Sequence, residues 1–408
     1  MHNCFHAGDI LLPRKISMKK WACVACDQFS SQVEYWEQVA QLVGDAPSTF
    51  HMIMPEAFLK QGKAQGRLPY IHDHMNTYLE GGLFETHRRS FIYLERTMQN
   101  GAKRRGLVGQ VDLEEYDFHP GSGSKIRATE GTVQDRLPPR MELLRGAKLE
   151  FPHVIMLCDD RRDAIMTAAR SVLGQKVYDF DLMQDGGHIT GWLISGLGVS
   201  VVNAAVTEYI DAVSAQQQEN PMAFAVGDGN HSLASAKACW EEIKPTLTPA
   251  EREEHPARFA LVELENIHDP AIAFEPIHRV VTEVDTERLA AVLEVHGVES
   301  GYPLTLVTQN GEQTIYLDPN ESPLAIAILQ PILDDFLQTH GGCVDYIHGE
   351  DVVRSLAQKP NTMGMILPGM AKESLFPGVL QNGVLPRKTF SMGEAREKRY
   401  YLEGKMRV

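Results

Sequence analysis

Apolar residues recur along the chain at two spacings, about 3.6 and 2, and the changes from one to the other mark out its elements. In "SSQVEYWEQVAQLV" (30–43) apolar positions fall three and four apart, with Ser31 as a cap and Glu34 as its capping-box partner, so a helix is predicted. "SFIYLERTM" (90–98) and "GLVGQVDLEEYDF" (106–118) are predicted strands, the second with partial alternation. "HVIMLCDD" (153–160) reads as a short buried strand, and "RRDAIMTAARSVL" (161–173) as a helix that Asp160 caps. "KVYDFDLM" and "HITGWLIS" flank Asp185-Gly186-Gly187, the pattern of a β-hairpin. "VSVVNAAVTEYIDAVSAQ" (199–216) is a long amphipathic helix. Beyond residue 256, strands ("ARFALVEL", "LTLVTQ", "QTIYLD") alternate with helices ("DTERLAAVLEVH", "LAIAILQPILDDFLQTH").

That mixture predicts an α+β fold of mixed sheets with flanking helices, and not a regular doubly wound sheet. The length of 408 residues allows two or three domains. The expected division is 1–150, 151–275 and 276–408, each a mixture of helix and strand.

Composition narrows the function classes. The chain is 43% hydrophobic and 23% charged, as an ordinary globular protein is. No apolar run approaches the roughly 20 residues that cross a bilayer, and the N-terminus lacks the pattern of a secretory signal. Six scattered cysteines form no disulfide framework, so a reducing cytoplasm is the expected location. The net charge of −15 disfavours general nucleic-acid binding, which draws on a basic excess. One stretch departs from this balance. Lys125, Arg127, Arg136, Arg140 and Arg145 form either a solvated helix face or an anion site.

The most informative stretch is "VGDGNHSLASA", where the apolar run Met222–Val226 enters a polar loop that leads into a helical pattern. A strand that feeds a helix through glycines presents backbone N–H groups and the positive end of the helix dipole to an anion. Gly227 and Gly229 allow close approach, Asp228 can hold Mg²⁺ or take a proton, and Asn230 and His231 are expected to point out of the first turn. The same residues also describe a turn capped by Asp228 or Asn230. Cys23 and Cys26, with His2, Cys4 and His6, are candidate zinc ligands, but a single pair favours buried thiols. His188 sits alone beside the hairpin turn, and Met363, Met365 and Met370 read as core filler.

Taken together, the motifs resemble domain of unknown function family 1015. "PSTFHMIMPEAFL" and "IRATEGTVQDRLPPRMELLRGAKLEFPHVIMLCDD" are similar to its N-terminal stretches, with Glu130, Thr132, Asp135, Arg136 and Leu137 on the pattern and Thr129 in place of a histidine. His188 and Trp192 match its hairpin. Asp228, Gly229 and His231 match its Asp-Gly-His-His-Arg signature, with Asn230 for the first histidine and Ser232 for the arginine. "EPIHRVV" (with His278 and Arg279), "DYIHG" and "LPRKTF" also fit.

The signature also looks like the core of the ParB/sulfiredoxin-like superfamily. That likeness implies a strand–loop–helix core with nucleotide phosphate at the helix N-terminus, around Gly227, Gly229, Asn230 and Ser232. The superfamily includes CTP-binding DNA-partition proteins, ATP-using sulfiredoxin and kinases of free serine. The function it implies is a small-molecule phosphotransferase of the serine or phosphoserine type, using ATP or ADP with Mg²⁺. Glu130, His188, Asp228 and His231 are the catalytic candidates, and Arg127, Arg136 and Arg140 further phosphate ligands. The alternatives are a non-catalytic nucleotide-binding regulator and a ParB-like DNA-associated protein.

Overall fold

The computed structural model describes residues 3–30, 32–60, 66–132 and 137–408, and the fold is mixed α+β, with thirteen α-helices among the described residues. Two compact units divide the chain. The first comprises Met1–Ala128, Thr132–Ile272 and Glu394–Val408, the second Thr129–Gly131 and Ala273–Gly393. This differs from a division into three successive regions. Residues 84–112, 155–158 and 224–266 contribute strands to one sheet, and the last fifteen residues return to it.

The first unit is built on an eleven-stranded sheet. Its main path runs Lys176–Asp181, His188–Ile194, Phe84–Thr97, Lys103–Asp112, Phe259–Asn266, Ile155–Cys158, Phe224–Asp228, Ile126–Ala128 and Tyr116–Asp117. It is mixed, because Phe224–Asp228 lies parallel to Ile126–Ala128 but antiparallel to Ile155–Cys158. The predicted hairpin forms at one edge, with Gln184, Asp185 and Gly187 all in the left-handed region. The predicted strand at 106–118 breaks at Asp112, whose carboxylate accepts from the Glu114 N–H and starts a short 3-10 turn. The predicted helices form at Val33–Val43, Ala164–Ser171 and Leu197–Gln216. Asp160 accepts from the Ile165 N–H at 3.0 Å, the capping contact expected of it. Ser31 lies outside the described residues.

Both faces of this sheet are covered, which is why "SFIYL" is apolar throughout and does not alternate. Phe91 and Tyr93 enter one core with Leu107, Phe224 and Trp240. Ile92 and Leu94 enter the other with Val108, Leu261 and Trp21.

On the second face, three neighbouring strands exchange apolar for charged side chains at the same end. Two-residue steps lead from Leu94 to Arg96, from Val108 through Gly106 to Arg104, and from Leu261 through Glu263 to Glu265. Arg96 and Arg104 are direct cross-strand partners and both are buried. Gly106 makes the room, because a Cβ there would stand 2.5 Å from Glu263 Oε1.

The C-terminal segment closes over these charges. Arg96 donates to the carbonyls of Gly186, Glu397 and Lys398, and Arg104 donates to Glu397. Arg399 spans Glu263 (3.4 Å) and Glu403 (2.9 Å) and reaches the Val154 carbonyl.

Arg104 Nε stands 2.8 Å from Glu265 Oε1, yet no hydrogen bond aligns between them. Burial, together with its neighbour Glu263, pushes Glu265 well above the carboxylate range, with Arg104 opposing. Against the lowering effect of burial, Glu265 and Glu263 hold Arg104 up.

The second unit carries a six-stranded sheet, in the order Gly297–Val298, Gly311–Leu317, Tyr302–Thr308, Thr362–Ile366, His278–Thr282 and Cys343–Ile347, with every pair antiparallel. Met363 and Met365 are buried on its interior strand, whereas Met370 is half-buried beyond it. Asp285 caps the Thr286–Val295 helix by accepting from the Arg288 N–H.

Removing one member of a buried ionic network leaves its partners charged and dry. Arg399→Met is therefore expected to lower unfolding free energy by about 3–5 kcal/mol, read by chemical denaturation. A loss near that of a surface ion pair, below about 1 kcal/mol, would mean that Arg399 does not hold the segment.

Candidate functional site

The strand Phe224–Asp228 is buried up to Val226 and emerges at Gly227 and Asp228. Gly229 then turns the chain at φ 79° and ψ 25°, and the helix Asn230–Ile243 begins at once. Glycine is needed there twice over. The conformation is left-handed, and a Cβ would meet Val154 Cα at 3.1 Å. The cap residue is Gly229, which has no side chain to offer, and the positive end of the helix dipole lies at this first turn. His231 and Ser232 are half-buried in that turn. Asn230 is buried, and its Nδ2 donates to the Val226 carbonyl at 3.4 Å, tying helix to strand instead of pointing outward.

Charged groups from distant segments gather around this helix end. Lys398, nearly fully buried, places Nζ 3.5 Å from Asp228 Oδ1, while Asp228 Oδ2 is buried without a hydrogen-bond partner. A cavity of about 70 Å³ lies beside the first turn, lined by Ser232, Ser235, Arg140, His153 and Tyr401 against an apolar wall that includes Leu143 and Phe151. Tyr401 and His153 Nδ1 are hydrogen-bonded at 2.8 Å, and His153 Nε2 faces Asp27 Oδ1 across 3.8 Å. Arg140 is paired with Glu56. Burial would raise Asp27, but His153, Gln28, Arg140 and Lys398 outweigh it and bring the carboxyl below its ordinary range.

The cavity has room for about five water molecules, a small acceptor's volume and far less than a nucleotide needs. Asp228 offers one carboxylate, and among the described residues no three His, Cys, Asp or Glu are arranged to hold a metal.

Within the first unit, the other described sequence candidates are dispersed. Arg127 lies on the neighbouring strand, but its guanidinium donates to the carbonyls of Ser124 and Asn220, so it fastens loops and is not offered to an anion. Arg145 pairs with Glu242 and Lys125 with Glu115 at the surface. Arg136 lies outside the described residues. Of the basic stretch, Arg140 alone among the described residues shares the cavity with Ser232.

His188 sits on the hairpin strand, five strand spacings along the sheet from Asp228, and both its ring nitrogens are taken by Asp181 and Asp179. It does not join the helix-end site. The bond to Asp181, with that to Asp179, raises its pKa. Glu130 belongs to the second unit, where it accepts from the Lys388 N–H at 3.2 Å and bridges to Leu385. The Cys23 and Cys26 thiols are pushed by burial to about 12, and Cys23 Sγ contacts Thr49 Oγ1 at 3.2 Å.

Asp27, His153, Lys398 and Tyr401 were not among the sequence candidates. The only signal was the basic–aromatic run "EKRYY" near the C-terminus, which carries no motif.

Several solved structures share a distant likeness. The free serine kinase in complex with AMP has 12% identity and a TM-score of 0.39, with 72% of this chain and 90% of that one covered. A conserved hypothetical protein from Pyrococcus furiosus has 13% identity and a TM-score of 0.35 over the same shares. SbnI with C-terminal truncation from Staphylococcus aureus has 10% identity and a TM-score of 0.38, covering 70% and 81%. Likeness at this level carries no argument about chemistry. No curated protein matches the chain. The model of the family "Protein of unknown function (DUF1015)" matches residues 11–375, and the chain belongs to that family.

Proposed function

We propose that the end of the Phe224–Asp228 strand and the first turn of the Asn230–Ile243 helix form the phosphate site of a nucleotide-dependent small-molecule phosphotransferase, of the serine or phosphoserine type. One observation carries this reading. A helix N-terminus entered through Gly229 has Lys398 held beside it against Asp228, and the Arg140 guanidinium lines the cavity next to its first turn. Dipole and cations act in the same direction on an anion, and phosphate is the anion most often held in this way.

In this reading the backbone of Gly229 to Ser232 and His231 hold phosphate, and Lys398 neutralises its charge. Phosphoryl transfer needs little beyond such positioning and neutralisation. Asp228 Oδ2, buried and unpartnered, is the oxygen that would take Mg²⁺, with water and phosphate oxygens completing its shell. Bound there, the ion would spread the charge of the transferred group. The nucleoside of ATP or ADP would lie outside the cavity, whose volume suits an acceptor the size of serine. The resemblance to ParB/sulfiredoxin-like nucleotide sites, and the AMP and ADP complexes of the serine kinase, name ligands to test and add no weight.

A nucleotide-binding regulator without turnover is the second reading. It is favoured by Ser232, which stands where the signature's arginine would grip phosphate with two donors.

Titration with ADP, AMP, CTP and pyrophosphate, followed by melting temperature, tests the site directly. His231→Ala and Lys398→Met are each expected to weaken ADP binding about tenfold or more, the cost of one hydrogen bond to a charged group. If none of these ligands raises the wild-type melting temperature, the phosphate reading fails. Gly229→Ala is expected to cost about 1–3 kcal/mol of stability, because alanine is strained in the left-handed region, and to weaken ADP binding further by shifting the helix start.

A further inference from the structure

We propose that Asp27 receives the proton of the acceptor hydroxyl at this site, the role that sequence reasoning gave to Glu130. The inference rests on the phosphoryl-transfer reading above.

Asp27 follows the short strand Cys23–Val24, which pairs with Tyr400–Tyr401. Ala25 N–H donates to the Arg399 carbonyl at 3.0 Å, so the loop that carries Asp27 is stitched to the segment that carries Lys398. The Asp27 side chain keeps about a quarter of its surface exposed, at 27%, enough for a substrate to reach.

Its surroundings orient it from three sides. Gln28 Nε2 donates to Oδ1 at 3.0 Å, and His153 Nε2 faces the same oxygen at 3.8 Å, within ion-pair reach. The Tyr401 hydroxyl, which accepts from the Cys26 N–H, fixes the His153 ring through Nδ1. Other carboxylates of this region have other duties. Glu150, which lines the cavity, is paired with Arg407 and Lys405, Glu56 is paired with Arg140, and Asp228 faces Lys398 and is the oxygen donor offered to the metal.

The step balances without further reactants. The acceptor O–H proton passes to Asp27 as the acceptor oxygen bonds to the γ-phosphorus of ATP. The bridging P–O bond to the β-phosphate breaks, ADP leaves with that electron pair, and Asp27 then releases its proton to water. Lys398 and Arg140 offset the charge that moves.

Every group around Asp27 bears on its titration. His153, Arg140 and Lys398 favour the carboxylate, while Glu56 and Asp228 temper the two cations. Burial pushes the Tyr401 phenol well above its ordinary range and the Cys26 thiol to about 12, so both are neutral. His153 is a positioning residue. With glutamine in its place Asp27 loses the neighbour that most lowers its pKa, so the acid limb of the rate profile moves to higher pH.

The test uses the full chain with Mg·ATP and L-serine. ADP formation is read across pH, and ADP binding is read by calorimetry. Asp27→Asn is expected to keep wild-type ADP affinity while ADP formation falls about 100-fold or more and its acid limb disappears. Asp27→Glu should restore part of the rate, and His153→Gln should shift the acid limb upward. An Asp27→Asn rate and pH profile equal to wild type overturn the role of Asp27, and the phosphate site then still stands on the Lys398 and His231 variants. ADP binding without turnover in the wild type also overturns it, and leaves a regulator's pocket. Absence of ADP binding removes the phosphate reading and this inference together.

Discussion

Three arginines buried at one end of a sheet impose the constraint on which the rest of the first unit depends. A guanidinium in a dry interior is tolerable only when its donors are nearly all used and its charge is opposed. Arg96 and Arg104 stand side by side on adjacent strands, and burial with Arg104 nearby lowers Arg96 to about 10. Their own sheet supplies Glu263 and Glu265 but too few acceptors. The carbonyls of residues 396–398 supply the rest, and Arg399 brings a third cation for the glutamates. The C-terminal segment is therefore bound by an electrostatic demand created in strands some 130 to 300 residues earlier in the chain.

The same docking organises the candidate site. Residues 398, 399 and 401 lie consecutively or nearly so, and each reaches a different wall of it. Lys398 meets Asp228, Arg399 donates to the carbonyl of Val154, whose Cα stands against Gly229, and Tyr401 fixes His153. A side chain held at both ends of its reach loses little entropy when a ligand arrives, which is the condition for a preorganised site. The structural network and the functional one are thus a single network, and a residue such as Arg399 supports binding without touching a ligand.

How much of this was legible in the sequence follows from the range of the interactions. The hairpin at residues 176–195, the helix start at Asn230 and the helix Thr286–Val295 depend on a few adjacent residues, so local spacing announced them. The break at Asp112 was hidden because the stretch stays apolar enough to continue as strand, and only the carboxylate's turn onto Glu114 stops it. The basic stretch from Lys125 to Arg145 had two open readings, and the fold scattered it, one arginine to the cavity and others to carbonyls or surface carboxylates. His188 matched a motif, but motif position carries no distance, and the hairpin lies strands away from Asp228. Asp27, His153 and Lys398 were invisible for the converse reason. Each is unremarkable in its local sequence and acquires meaning only through partners more than a hundred residues distant.

A net charge of −15 and an anion site are compatible, because charge acts over a short range. At physiological ionic strength the Debye length is about 8 Å, so most of the acidic surface is screened from the helix end. What an arriving anion meets is local: Lys398, Arg140, His153 and a dipole worth about half a charge, set against Asp27, Asp228 and Glu56. Those acids keep the cations folded inward while the site is empty. Lys398 is buried against Asp228, and a charge buried there without such a partner would cost the segment stability. In the reading proposed above, an incoming phosphate would compete with Asp228 for Lys398 and leave the Asp228 carboxylate without its cation. A divalent ion shared with the phosphate would replace it, so the internal ion pair would make anion and metal binding mutually reinforcing.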